Sequence, residues 1–204
     1  MANYDELRTQ FTSILNRRDI TPTLRDSFLQ DAIRRAQRLV RTPALDRSIQ
    51  VTINTETELS IPIDLLKLIN LSTSEGRIRM VDIDTVLKAI DGGETGVPRI
   101  AARRDAKWAL APIPQTGQEI RIDYTAEDDV LSAGSDESNL SIIAPDLIIY
   151  GALSYACDYY QDKRVERFEQ RFQQIVAEVN DASQDDELSG GAQVSAAYSF
   201  EDDI

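Results

Sequence analysis

Apolar positions near the start of the chain recur in steps of three and four: Tyr4, Leu7, Phe11 and Ile14/Leu15. That period puts them on one face of a helix. Asn3 followed by Glu6 has the form of a capping box for its first turn. The helix is predicted to end near Arg17-Arg18-Asp19. Thr21-Pro22 then reads as an N-cap with proline at the first helical position. Leu24, Phe28, Ala32, Ala36 and Leu39/Val40 continue a second narrow stripe, and Pro43 ends it. Each helix carries one greasy stripe, too little for the hairpin to be stable alone.

After Pro43 the period drops to two. Ile49, Val51 and Ile53 alternate with Ser48, Gln50 and Thr52, as in a half-buried strand. A turn at Asn54 to Glu56 leads to Leu59 and Ile61, alternating again. Ile63 to Leu71 reads as a turn passing into a strand, and Gly76 to Val81 as another short strand. Asp84 to Ile90 is predicted to be a helical turn or two, capped by Asp84 and stopped by Gly92-Gly93. Arg99 to Arg103 and Lys107 to Leu110 form a hairpin around Asp105, and Ile120, Ile122 and Tyr124 alternate in a last strand. Glu127 to Asn139 is an acidic, Ser/Gly-rich loop. Pro145 opens a helix whose small residues, Gly151, Ala152, Ser154 and Ala156, permit close approach of a neighbour. A second long helix follows Asp162, with Val165, Phe168, Phe172, Ile175, Val176 and Val179 on one face, and runs to about Asn180. From Ala182 the chain is Ser/Gly/Asp-rich.

These elements predict an α+β fold. A helical hairpin (1–45) and a C-terminal helical pair (127–183) pack their single apolar faces together into a four-helix core. A small antiparallel β module (46–126) is inserted between them, and an extended acidic tail (184–204) follows.

Charge sharpens this picture. The 204 residues hold 22 Lys+Arg against 35 Asp+Glu, a net −13. Residues 1–41 carry eight basic and five acidic side chains, whereas 181–204 carry seven acids and no base. The opposite signs can attract within one copy or between copies; the simpler reading is a solvated acidic tail. The overall charge opposes non-specific binding to nucleic acid or anionic lipid. With no histidine, catalytic triads, Cys-His dyads and His-ligated metals are excluded. The single cysteine, Cys157, rules out an internal disulfide and a Cys-cluster zinc site, and on the apolar face of its helix it reads as a small buried hydrophobe. No run approaches the ~20 apolar residues needed to span a bilayer. The polar N-terminal stretch does not resemble a signal peptide, so synthesis in a reducing cytosol is expected.

Candidate chemistry is thin. Asp128-Asp129 and Asp185-Asp186 are adjacent carboxylates in flexible settings, unlike the rigid pair that glycoside hydrolysis needs. Asp82-x-Asp84 with Asp91-Gly92-Gly93 lacks the spacing and closing Glu of a calcium loop. No catalytic residue, metal ligand or cofactor is therefore assigned. Arg34, Arg35, Arg38, Arg164, Arg167 and Arg171 lie off the apolar stripes without interleaved aromatics. They read as solvated faces or inter-subunit ion pairs rather than a nucleic-acid surface. Val194, Tyr198, Phe200 and Ile204 stand among acids at intervals of two and four, sharing one face of an extended strand. That pattern suits a segment docking on a partner or a neighbouring subunit, with a frayed end as the alternative.

The organisation resembles the head-to-tail adaptor (connector, or head completion) proteins of tailed bacteriophages. The residues that carry the resemblance are Ile61-Pro62-Ile63-Asp64, Gly96-Val97-Pro98, Leu110-Ala111-Pro112-Ile113-Pro114 and Tyr124, then Ala152-Leu153-Ser154-Tyr155-Ala156 and Tyr159-Tyr160-Gln161-Asp162. Ile61 stands where the family more usually has Leu. The resemblance covers about Met1 to Asn180. It implies a non-enzymatic structural protein of the virion, made in the host cytoplasm. Its copies form a homo-oligomeric ring, typically a dodecamer, with the portal protein above and a tail or nozzle protein below. DNA passes through the ring during ejection, and the tail binds portal or a neighbouring subunit. Two other readings remain: a virion-associated cell-wall-degrading enzyme using paired carboxylates, and a monomeric soluble binding module.

Overall fold

The computed structural model describes residues 2–53 and 58–188, with side chains to residue 183. The described residues divide into two compact units, one from residues 2–42 with 131–188 and the other within residues 43–130.

The first unit is helical. Helix α1 (Tyr4–Leu15) starts at the predicted capping box: Asn3 Oδ1 accepts from Glu6 N at 2.9 Å, and Asn3 N donates to Glu6 Oε2 at 3.3 Å. It ends at Leu15, short of the Arg17-Arg18-Asp19 boundary, because Asn16 turns left-handed at φ 52°. Asparagine tolerates that conformation better than most residues. The next turn of chain therefore leaves the helix axis before the two arginines.

Helix α2 (Pro22–Leu39) has Thr21 as N-cap and proline in its first turn, as predicted. Helix α4 (Asn139–Ile143), which no predicted element covers, begins where the predicted Glu127–Asn139 loop ends; Ser138 and Ser141 exchange capping hydrogen bonds around its single turn. Helix α5 (Pro145–Tyr159) is the hub. Leu147, Ile148, Ile149, Leu153 and Cys157 are all buried, and α1, α2, α4 and α6 (Val165–Leu188) all pack on it.

Helix α6 (Val165–Leu188) runs two turns beyond the predicted end near Asn180. Ser183 is buried and donates its hydroxyl to Val179 O at 2.9 Å, so a polar residue continues the buried face without an unpaired group. The acidic stretch that begins as a predicted tail at 184 is thus helical to Leu188. Val194, Tyr198, Phe200 and Ile204 lie outside the described residues.

Backbone ends are closed by distant partners. Asn180 covers the end of α2, accepting from Arg41 N at 2.7 Å and donating to Leu39 O at 3.2 Å. Arg164 donates to Leu15 O at 3.0 Å, capping the last turn of α1.

The second unit opens with a 3-10 turn at Pro43–Leu45 and holds eight strands and one helix among its described residues. Strands β1 (Asp46–Ile53), β3 (Leu65–Thr73), β4 (Gly76–Arg77) and β8 (Gln118–Ala126) form one sheet in the order β1-β8-β3-β4. Strands β2 (Glu58–Ser60), β5 (Arg79–Met80), β6 (Ile100–Arg104) and β7 (Lys107–Ala111) form the other, in the order β2-β7-β6-β5. Both sheets contribute to one core, with Ile53, Leu71, Ile120 and Ile122 from the first and Leu59, Trp108 and Leu110 from the second.

Two expectations are corrected in this unit. The module is not wholly antiparallel: β5 pairs with β6 in parallel, Arg79 opposite Ile100 and Met80 opposite Ala101. The chain gains that direction because α3 (Ile83–Asp91) crosses over between the two strands, as a parallel pair requires. The cap of α3 is Asp82, not Asp84; its carboxylate accepts from Asp84 N at 3.1 Å. Starting earlier brings Ile83 into line with Val86 and Ile90, and this face packs on the outer side of the β6–β7 hairpin against Ala102, Ala109 and Ala111.

Candidate assembly surface

The structure places the six candidate arginines of the helical unit in different circumstances. Arg35, on α2, reaches across to α6. Its Nη1 donates to Glu169 Oε2 at 2.9 Å and its Nη2 to Glu169 Oε1, a fork on a carboxylate. Ser154 Oγ (2.8 Å) and Gln173 Nε2 (2.9 Å) complete the carboxylate's shell, and the Arg35 guanidinium lies 4.3 Å from the Phe172 ring centre. Arg164 forks onto Asp162 while capping α1. Arg34 pairs with Asp31 one turn back at 3.1 Å, and Arg171 donates to Gln174 at 2.9 Å. Arg38 and Arg167 are exposed and have no ion-pair partner among the described residues. Sequence reading could not separate these cases, because Glu169 lies 134 positions from Arg35.

Arg35's hydrogen bonds first, then those of Gln173 and Ser154, outweigh the cost of burial and hold Glu169 near a pKa of about 2, against 4.5 ordinarily. A carboxylate with a depressed folded pKa stabilises the fold above its unfolded value. That contribution is lost as pH falls from about 4.5 to about 2. The Glu169 side chain is 35% exposed, so after solvent screening about 1–2 kcal/mol is expected. Chemical denaturation across that window should show the wild-type chain losing this amount relative to Glu169→Gln. Parallel curves for the two proteins would show that the pair contributes nothing.

The end of the helical unit where α5 and α2 meet carries a feature that sequence reading treated only as part of a motif. Tyr159 is 62% exposed although it closes an apolar helix. It stands edge-on to Phe28 (5.7 Å between ring centres) and to Tyr160 (5.0 Å). Arg17 lies 3.9 Å above the Tyr160 ring while forking onto Asp19. A shallow groove opens beside this ledge, lined by Asp19 with its Arg17 partner, by Thr21, Thr23, Leu24 and Ser27 at the start of α2, and by Tyr159 and Tyr160. The signal in the sequence was the Tyr159-Tyr160 pair at a helix end, where one ring cannot follow the buried face.

The Ile61-Pro62-Ile63-Asp64 element has a structural task within the second unit. Asp64 accepts from the Tyr124 hydroxyl at 3.1 Å and from Arg47 at 3.0 Å, locking the start of β3 to β8 and β1.

Asp128 and Asp129 are engaged in a local hydrogen bond and an ion pair. Asp128 is buried and accepts from Asp129 N at 3.1 Å, while Asp129 pairs with Arg47 at 3.4 Å. The side chains of Asp185 and Asp186 lie outside the described residues. A general acid in a glycosidase needs a raised pKa. Asp26, Asp123, Asp136, Asp162 and Glu169 are instead held below the ordinary carboxylate range by arginines and by backbone or side-chain donors. Among the described residues, no group of three or more Cys, Asp or Glu is placed to hold a metal ion, and no helix is long and apolar enough to cross a membrane. Cys157 is buried, and burial pushes its thiol pKa up, so it is a packing residue.

The fold is α+β, a helical unit interrupted in sequence by a β unit, and the helical unit presents the exposed Arg38 and Arg167 and the aromatic ledge at Tyr159. Residues 2–195 match the family described as SU10 adaptor protein, and the chain belongs to that family of bacteriophage head-to-tail adaptors. It is accordingly a structural component of the virion that meets other head and tail proteins. No curated protein matches the chain.

Proposed function

We propose that the chain is one subunit of a ring, of twelve copies by the family resemblance, seated between the portal and the tail or nozzle and leaving a passage for DNA. The observation that carries this reading is the family match over residues 2–195. In this reading the helical unit, built around α5, serves as scaffold, and the β module and C-terminal tail make contacts. A net charge of −13 lets carboxylates face the passage, where they repel DNA and keep it sliding. Arg34, Arg38, Arg167 and Arg171 supply ion pairs between subunits; Arg35 and Arg164 are spent inside the chain. Val194, Tyr198, Phe200 and Ile204 anchor the tail on portal or on a neighbouring subunit. Synthesis is in the host cytoplasm, and the working location is the head-to-tail interface.

Mixing the protein with its portal and measuring the mass of the complex tests the ring. Removing residues 189–204 tests the tail. Assembly onto portal should weaken by at least about tenfold, the scale set by losing one or two apolar anchors. The helical circular dichroism signal should stay, because every described helix lies before residue 189. An unchanged assembly yield would remove the tail from the mechanism.

A further inference from the structure

We propose that the groove beside Tyr159 is the receptor for the C-terminal segment, Val194 to Ile204, of a second copy of this chain. This rests on the adaptor reading of the tail as an assembly element, and it names the surface that the tail meets.

The receptor side is built from one exposed aromatic held by others. Tyr159 is kept upright by Phe28 and Tyr160, and Arg17 on the far side of Tyr160 stiffens the ledge. A rigid, half-wet aromatic is the residue type that dominates binding energy at protein interfaces. Leu24 supplies an apolar floor, while Thr21, Thr23 and Ser27 supply hydroxyls for a peptide backbone.

Charge selects the occupant. Most cations of this end are already committed: Arg17 to Asp19, Arg25 to Asp26 and Arg164 to Asp162. Arg18, beside Asp19 of the groove, and Lys163, in the turn after Tyr160, are exposed and have no ion-pair partner among the described residues. The start of α2 adds the positive end of an 18-residue helix dipole. The opposing charges are Asp19 in the groove lining, already paired with Arg17, and the exposed Asp158, the residue before Tyr159. The segment Tyr198-Ser199-Phe200-Glu201-Asp202-Asp203-Ile204 offers what fits: two aromatics and an isoleucine, with three acids for the rim.

Reach assigns the segment to another copy. α6 leaves the α5 turn at Val165, and at Asn180 it is bonded to Leu39 and Arg41, the end of α2 opposite to Thr21. Its 24 residues rise about 36 Å. Tyr198 lies ten and Phe200 twelve residues past Leu188, at most about 36 and 43 Å of taut chain. Bringing either ring back to its own groove would take an almost fully extended chain with hardly any slack to cross the helices. A groove at one end of the helical unit and a donor segment leaving the other end make a head-to-tail contact, the kind that repeats until a ring closes.

A labelled peptide of residues 189–204, titrated with the full chain, tests the receptor. Binding is expected, and Tyr159→Ala should weaken it by at least about tenfold, the scale of a single interface anchor. The double charge reversal Arg18→Glu with Lys163→Glu should weaken it further at low salt than at high salt. Because Tyr159 is mostly exposed, its alanine variant should keep the wild-type melting curve.

Trans docking is tested with Tyr159→Ala and Phe200→Ala full chains. Each should self-associate at least about tenfold more weakly than wild type. An equimolar mixture should form a two-copy species and stop, since only one complete contact is available. Peptide binding that ignores Tyr159→Ala overturns the groove assignment. A mixture that stays monomeric while each variant folds overturns the docking in trans. If self-association is untouched by either variant yet portal assembly still needs residues 189–204, this docking fails and the adaptor reading stands. Loss of neither would be a failure of both.

Discussion

Phe172→Ala is expected to destabilise the helical unit by about 3–5 kcal/mol, the usual cost of emptying a buried phenylalanine site. Phe172 is fully buried on α6, touches the α5 backbone at Gly151 and carries the Arg35 guanidinium on its face. Its removal leaves a cavity with rigid walls and loosens the Arg35–Glu169 fork. Whole domains are stable by only about 5–15 kcal/mol, so the loss is a large share of the total. A fall in melting temperature of about 10–20 °C should be seen by circular dichroism. Combined with Glu169→Gln the losses should be less than additive, because both changes strike one cluster. A melting curve within a degree or two of wild type would show that the site collapses and that α6 is not held here.

Gly151→Val is expected to cost about 2–4 kcal/mol through overpacking, a crowded version of the same contact. A Cβ on Gly151 would lie 3.1 Å from a ring carbon of Phe172 and 3.2 Å from the Ala32 Cβ. α5 therefore touches α2 and α6 at one residue, and hydrogen is the side chain that fits best. Alanine asks for a few tenths of an ångström of yielding while gaining up to about 1 kcal/mol of helix propensity, so Gly151→Ala should fall within about 1 kcal/mol of wild type. Valine adds two methyls with no room for either. Denaturant titration should rank glycine and alanine close together and valine well below. In a Phe172→Ala background the valine should become cheaper, because the vacated ring space accepts it. Equal losses in both backgrounds would mean that the close approach is not the reason for glycine.

Much of the fold was legible because local chemistry and burial agree. The Asn3–Glu6 box, Thr21-Pro22 and the alternation of Ile49, Val51 and Ile53 each state their element within a few residues, and those elements are present. Misreadings arose where one residue serves two levels. Asp84 has the right type for a cap, but Ile83 must face the hairpin to cover Ala102 and Ala109, so the cap moves back to Asp82. Ala182-Ser183 resembles the start of a polar tail until Ser183 finds Val179 O and stays buried. The parallel pairing of β5 and β6 depends on a crossover through α3, which no two-residue period announces.

The candidate site was less visible. Arg34, Arg35, Arg38, Arg164, Arg167 and Arg171 look alike as a list of charges, and only tertiary partners divide them. Glu169 takes Arg35, the end of α1 takes Arg164, and Arg38 and Arg167 are left for others. Tyr159 is one more apolar letter in its helix until Phe28 is found holding it upright in water.

The interruption of the helical unit by residues 43–130 has a consequence for how the protein is born. Leu39 ends α2, and the hub helix that it needs begins only at Pro145, about a hundred residues later. At ribosomal speeds of about 5–20 residues per second, α1 and α2 wait roughly 5–20 s after synthesis for the partner that buries Phe11 and Leu29. The β unit is contiguous and needs no such wait. During that pause two naked amphipathic helices hang from the nascent chain, so this protein makes its greatest demand on chaperones before its second half has been translated.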